Sequence, residues 1–411
     1  MRRIAIAGAG QAGLQLGLGL LAAGYEVTLV TARTPGEVRG GPVLSTQAMF
    51  GPALRIEAAA GLDLWAGQVP RVGAVRSVLV AQPGERTLEF TMRPDEPVES
   101  VDQRVKMASW LELLEERGGR VEYRTLDAAG LARLAARHEL TVVATGRGGE
   151  PAALFERDPR RSRHEAPLRT IACLYAHGVG SPDPATEPAA RMHALPGLGE
   201  LYLQPALTRT GPCSILLWEA LPGSALDCFA DRPGPREQVN RIRQVLAEYL
   251  PWEAELWAGA VPTDRGAGLY GAVTPTVRRP VAEAAPGLPV LGIADTVVLN
   301  DPITGQGANS AARAAEHYLG AIRARGAGPF DEDWMHAVFE EFWQQHARHT
   351  VDFTTAMLTM PDHLQAVFAA APQRPAVARR FANTYAEPAD YANWLAEPAL
   401  TEAYLAQLGA T

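Results

Sequence analysis

The sequence predicts an α/β protein. A discontinuous Rossmann-like domain is interrupted by a β-rich insertion and followed by a helical tail. Three observations carry that prediction. A strand, glycine turn and helix open the chain at "RIAIAGAGQAGLQLG"; another buried strand ending in glycine is "LTVVATG", Leu140 to Gly146; a final one, "LPVLGIADTV", precedes a glycine-marked helix near residue 305. Long stretches with strand patterning lie between these pieces, so one parallel sheet must be assembled across insertions.

The first unit is read from its glycines. "RIAIA" is suited to a strand buried on both faces, and Leu14 to Leu21 carries a helix that Gly24 ends before the strand "YEVTLVT". Gly8, Gly10 and Gly13, with Gln11 and Ala12 between them, fit G-x-G-x-x-G after a strand and at a helix start. In that context the first glycine permits the turn, the second lets a pyrophosphate approach, and the third allows close packing. Gly17 and Gly19 inside the helix cost about 1 kcal/mol each against alanine, which predicts close helix-to-sheet packing there. The acid that usually holds a ribose at the end of the second strand is missing: Thr31, Ala32 and Arg33 stand in its place. Thr31 offers one neutral hydrogen bond instead of a charge-assisted one.

From Gly36 to about Pro97 the pattern is short and punctuated by proline and glycine. "RSVLVAQ" and "RTLEFTM" read as antiparallel strands around a Pro-Gly turn, and "QRVKMASWLELLEERGG" as a helix stopped by Gly118–Gly119. Between about Thr170 and Val281, "TIACLYAHG", "ELYLQPAL" and "CSILLWEAL" are strands interrupted by the helix "REQVNRIRQVLAEYL". The tail from Phe330 is helical. These readings assign residues 1–45, 98–165 and 281–325 to a nucleotide domain, 46–97 and 166–280 to a β-rich substrate domain, and 326–411 to a C-terminal helical region.

Composition narrows the class. Hydrophobic residues are 47% and charged residues 20% of the chain, the profile of a globular protein with a sizeable core. A net charge of -8 without a basic run argues against nucleic acid or an anionic membrane as partner. Three cysteines, Cys173, Cys213 and Cys228, without C-x-x-C spacing, exclude a disulfide framework and fit a reducing cytoplasm. The twin arginine and apolar run at the N-terminus imitate a signal peptide, but Gln11 and Gln15 interrupt it and a second strand follows, so it reads as mature protein. No other segment is long and apolar enough to span a bilayer.

A second glycine-marked helix start, "NDPITGQGANSAAR", begins at Asn300. Asp295 ends the preceding strand, Pro302 stiffens the loop, and Gly305, Gln306, Gly307, Ala308 and Asn309 start a helix. Such a helix start presents unpaired N–H groups and a positive dipole end. The first fingerprint already claims a pyrophosphate. The remaining part of a dinucleotide that gains negative charge is the pyrimidine edge of a reduced flavin, so the two glycine-marked helix starts together point to FAD, not NAD.

"GAGQAG", "VVATG" and "GIADTVVLNDPITGQGANSAARAAEHYLGAI" resemble the flavoprotein monooxygenase fold of the p-hydroxybenzoate hydroxylase type. Within it the chain is most similar to the two-component styrene and indole monooxygenases, and "VTLVTARTPGEVRGG", "VDQRVKMASWLELLEERGGRV" and the helical tail extend that likeness over nearly the whole length. The mid-chain Asp-Gly motif of single-component hydroxylases reads "ATGRGGE" here, at Gly146. With the lost ribose acid, this fits an oxygenase that receives reduced FAD from a separate NADH-dependent flavin reductase. The resemblance implies that reduced FAD and O2 form a C4a-hydroperoxyflavin, which epoxidises a small apolar aromatic substrate. A homodimer is compatible with it.

The likeness also places "LSTQAMF" beside the flavin. Styrene epoxidases carry Asn, Val and His where this chain has Ser45, Gln47 and Met49, a set that resembles the indole-oxidising branch. Gln47 offers an acceptor for an indole N–H, or is a wall residue bonded to backbone; Leu44 and Met49 would supply apolar wall. Ser45 is a candidate for a hydrogen bond near the peroxide or flavin, and Arg104 for a flavin or phosphate contact as against a surface salt bridge. His346, His349 and Asp352 stand at helical spacing but read as a helix face, and no metal site is assigned. Competing readings are a styrene epoxidase with sulfoxidation as a side activity, an oxidoreductase that takes electrons from NAD(P)H itself, and a non-catalytic carrier of reduced FAD.

Overall fold

The structure is a computed structural model describing residues 2–182 and 188–408. Its first layer is a six-stranded sheet in the order Val281–Ala285, Leu288–Gly292, Leu140–Val143, Arg3–Ala7, Glu26–Thr31, Arg120–Tyr123. All neighbours are parallel except the first two, which form a hairpin at the edge. Ile4, Ala5, Ile6 and Ala7 are fully buried, as a central parallel strand covered on both faces requires.

Helices α1 (Gln11–Ala22), α2 (Gly51–Ala59), α3 (Gln103–Glu116) and α4 (Gln306–Arg325) matter most for the site. Gly17 and Gly19 of α1 do allow close packing, but chiefly against helices. A Cβ at Gly17 would stand 2.8 Å from Leu114 of α3, and one at Gly19 would stand 2.6 Å from Leu319 of α4. Gln15 donates to the Ala312 carbonyl and Tyr25 to that of Ile322, so contacts advance in the same sense along both chains. Helices α1 and α4 therefore run parallel, and their N-termini open at the same end.

The second layer is an eight-stranded sheet built from Ala74–Leu79, Leu88–Met92 and the strands between Thr170 and Ala272. The hairpin expected around the Pro-Gly turn is present, with Val75 opposite Met92 and Leu79 opposite Leu88. One strand, Ala189–Leu195, joins it by parallel pairing to Ala74–Leu79 and was not anticipated. The C-terminal helices pack Phe353, Phe381 and Trp394 into a core that also takes Phe90, Met92 and Met192 of this sheet and Ile303 of the loop before α4. The tail thus closes the space between that loop and the sheet.

Candidate active site

The site forms where the N-termini of α1 and α4, the stretch Val43–Phe50 and the eight-stranded sheet meet. At the first glycine turn, Gly8 has a φ of 117°, and a Cβ there would run into the Ala144 carbonyl. A Cβ on Gly13 would strike the Gly8 carbonyl, whereas the space above Gly10 is open. Helix α1 starts at Gly10 with no side-chain cap, so the N–H groups of its first turn are free for a ligand. Thr31 and exposed Arg33 lie at the C-terminal end of the neighbouring strand, and neither side chain has a hydrogen bond. The Gln11 side chain is engaged elsewhere: its Nε2 donates to Glu57 and Gln15, and Glu57 also receives the buried Lys106 ammonium.

The glycine turn before α4 has the same construction. Asp301 caps a short turn, Pro302–Thr304, by accepting from the Ile303 N–H, and Gly305 adopts a φ of 64° to launch α4 without a side-chain cap. Open space stands over Gly307, while a Cβ on Gly305 would lie 3.4 Å from Phe50. Asn309 fixes the register. Its Oδ1 accepts from the Phe50 N–H at 2.8 Å, and its Nδ2 donates to the carbonyls of Ala48 and Gly305. Gln306 donates to the carbonyls of Thr304 and Tyr385, tying the turn to the tail. Ala308 packs beside Met49, Ala53 and Ala312.

Between these two helix starts lie polar groups without partners. Gln47 is 1% exposed, and neither its Nε2 nor its Oε1 has a hydrogen bond; the same holds for Ser45 Oγ and Thr145 Oγ1, which stands beside Gly146. Asp295 follows Ala294, whose φ of 52° is uncommon for a residue with a Cβ. Its carboxylate accepts no hydrogen bond; burial raises it to about 6 against the pull of Arg147 and Arg278. A buried amide with all its hydrogen-bonding capacity idle costs free energy unless a ligand completes it. Two uncapped helix starts, open space over Gly10 and Gly307, and these idle polar groups fit an extended dinucleotide.

Residues 45–50 are extended and alternate across their length. Thr46, Ala48 and Phe50 face a cavity of about 120 Å³ whose other walls include Val72, Val75, Met92, Val98, Ile215, Leu217, Tyr385 and the Pro302–Gly305 turn. Met49 and Gln47 therefore point away from it, and Met49 packs on α2 and α4 instead of forming a wall. Leu44 is 48% exposed and lines nothing, because Val43 takes the inward position. Sequence reasoning picked the opposite face of this segment.

Arg104 also differs from expectation, being fully buried and neither a surface ion pair nor free for phosphate. Its Nε and Nη2 bind Asp102, Nη1 binds Asp264 at 3.0 Å and the Gly41 carbonyl, and Nη2 also reaches Thr208. All five N–H groups of a guanidinium are thereby used. The residues missed from sequence include Gln204, whose Nε2 donates to the Gln47 carbonyl and to Ser100, leaving its own carbonyl at the cavity without a donor. Strand periodicity in "ELYLQPAL" carries the signal for Tyr202 and Gln204 on one face. His346 and His349 lie on a helix of the tail, where burial lowers His346 to about 4.

The fold and these features are those of an FAD-binding protein of the p-hydroxybenzoate hydroxylase-like fold. A flavin-dependent brominase, Bmp2, superposes over 99% of this chain and 98% of its own with a TM-score of 0.72 at 15% identity. A flavoprotein/dehydrogenase from Cytophaga hutchinsonii superposes over the whole of both chains with a TM-score of 0.70 at 13% identity. These two show the fold alone. Residues 146–255 match a family profile described as "Styrene monooxygenase A putative substrate binding domain". The styrene monooxygenase StyA of Pseudomonas fluorescens is 30% identical over 321 residues, 76% of this chain and 75% of that one, and the enzyme of a Pseudomonas sp. is 30% identical over 320. The chain belongs to the styrene monooxygenase family.

Proposed function

We propose that the protein is the oxygenase component of a two-component system that epoxidises indole across C2–C3. The epoxide then opens towards indoxyl, which oxidises onward to indigo. Bound reduced FAD supplies the two electrons that split O2, one oxygen going to the ring and the other leaving as water. A separate NADH-dependent flavin reductase supplies it, consistent with idle polar groups where the cofactor would sit and no acid at Thr31 to hold its ribose.

The observation that carries the substrate reading is Gln204. The cavity wall is mainly apolar, with Thr46, Glu96, Arg191, Tyr202, Thr304 and Tyr385 also on it; the Gln204 carbonyl accepts nothing, and its amide nitrogen is held by the Gln47 carbonyl, which fixes its orientation. An apolar bicycle with one N–H matches that wall; the hydrocarbon styrene would leave the carbonyl unpaired. Gln47 then acts through its backbone on the substrate side, and its side chain with Ser45 faces the cofactor. Apolar walls at Val72, Val75 and Ile215 exclude water, and the Pro302–Gly305 turn brings the substrate towards the flavin.

The test supplies reduced FAD, oxygen and either indole or styrene. The expected result is oxygenated indole or blue pigment, with Gln204→Leu lowering kcat/KM for indole while sparing styrene. Efficient turnover of styrene with none of indole would overturn the substrate reading. Styrene epoxidation is the second reading, favoured by the two Pseudomonas relatives.

A further inference from the structure

Behind the cavity floor lie two acids that the chemistry above does not use. Glu219 is fully buried on the strand Gly211–Ala220, and neither of its carboxyl oxygens has a hydrogen-bond partner. Asp301, also fully buried, uses Oδ1 to cap the Pro302–Thr304 turn and leaves Oδ2 unpartnered. Each carboxyl interacts most strongly with the other. The nearest cation, Arg169, is spent: it binds Glu200 through Nε and Nη2 and the carbonyls of Leu168 and Leu358. The other titratable groups facing the pair are Glu200, opposite Glu219 on the neighbouring strand, and the phenols of Tyr202 and Tyr385.

Two anionic carboxylates cannot stay buried side by side without a counter-charge. We propose that Glu219 keeps its proton and donates it to Asp301 Oδ2, making Glu219 a positioning residue that holds the Asp301–Gly305 turn against the flavin and the cavity. The proposal rests on the reading that this turn meets the flavin. The bond ties the substrate-side sheet to the start of α4, so the turn is held only while the shared proton is present. Burial, and then the facing Asp301, push Glu219 well above the usual carboxylate range. A group raised on folding stabilises the fold at low pH and loses that contribution as pH climbs through its folded value.

Glu219→Gln supplies a permanent N–H donor to Asp301. Asp301→Asn supplies one in the reverse direction and keeps its Oδ1 for the Ile303 N–H. The experiment measures the melting temperature of flavin-free protein and the affinity for oxidised FAD by fluorescence quenching, between roughly pH 6 and pH 9. In the wild type both fall as pH rises, the affinity by about tenfold for each unit by which flavin shifts the shared titration. Glu219→Gln gives flat profiles; Asp301→Asn, which leaves Glu219 buried and ionisable, gives shallower ones than the wild type. Variants that retain the wild-type slope, or that both fail to fold, overturn the shared proton. Flattened melting profiles beside an FAD affinity that ignores pH in all three proteins would keep the shared proton and remove the flavin from this turn.

Discussion

Replacing Arg104 by methionine separates a structural role from a cofactor contact. The substitution keeps a side chain of fair length and removes five donors at once, leaving Asp102 and Asp264 buried and facing a thioether. Their side chains are 1% and 8% exposed, so water screens neither. Removing one partner of a buried pair typically costs about 3–5 kcal/mol, a shift of roughly a hundred- to several thousand-fold in the unfolding equilibrium. Burial works to raise Asp264, and the bonds from Arg104 and the Gly266 N–H outweigh it, holding the carboxyl below its ordinary value. Without Arg104 that value rises, so the deficit shrinks as pH falls and Asp264 protonates. Urea denaturation of flavin-free protein at neutral and acidic pH reads both effects. A variant with unchanged denaturation midpoints but an FAD affinity weakened more than tenfold would refute this account and restore Arg104 as a flavin ligand.

Other substitutions divide the site by face. Gly10→Val should fold, because the space above it is open, yet lose FAD affinity, whereas Gly13→Val should fail to fold because its Cβ meets the Gly8 carbonyl; soluble yield and flavin fluorescence check both. Gln47→Leu removes two idle buried amide atoms and should stabilise the flavin-free protein by about 1–3 kcal/mol while weakening FAD binding; a lower melting temperature with unchanged affinity would contradict it. Burial, with Arg191 and Arg86 nearby, lowers His193 to about 3, so the unfolded chain binds its proton first and stability falls with pH from about 6.5 towards that value. His193→Gln still accepts from Trp252 and should therefore melt less acid-sensitively than the wild type.

What could be read from sequence follows the range of the interactions involved. The glycine turn at Gly8–Gly13 and the start of α4 are local: each needs one conformation at one residue and a helix behind it. The hairpin ending at Leu79 and Leu88 was legible for the same reason, its turn being written in Pro83 and Gly84. The strand Ala189–Leu195 is different, because "AARMHAL" has little β-branched character and is a strand only through pairing with Ala74–Leu79. Arg104 was misread since one of its acids, Asp264, lies 160 positions away. The face of "LSTQAMF" was misread since three polar residues in a row give alternation no sign, and distant partners, Asn309 at Ala48 and Phe50, Gln204 at Gln47 and Glu99 at Met49, set which side is which.

That alternation has a consequence for how such enzymes diversify. Odd positions of the segment from Ser45 to Met49 answer to one neighbour and even positions from Thr46 to Phe50 to another, while Asn309, the Met49–Glu99 backbone pairing and the Gln204 and Tyr175 side chains hold the backbone. Substrate range can then drift most freely through residue 46, because Ala48 and Phe50 also pack against Gly305 of the turn before α4. A library at that codon would probe the substrate wall without altering the Ala48 and Phe50 contacts with the turn.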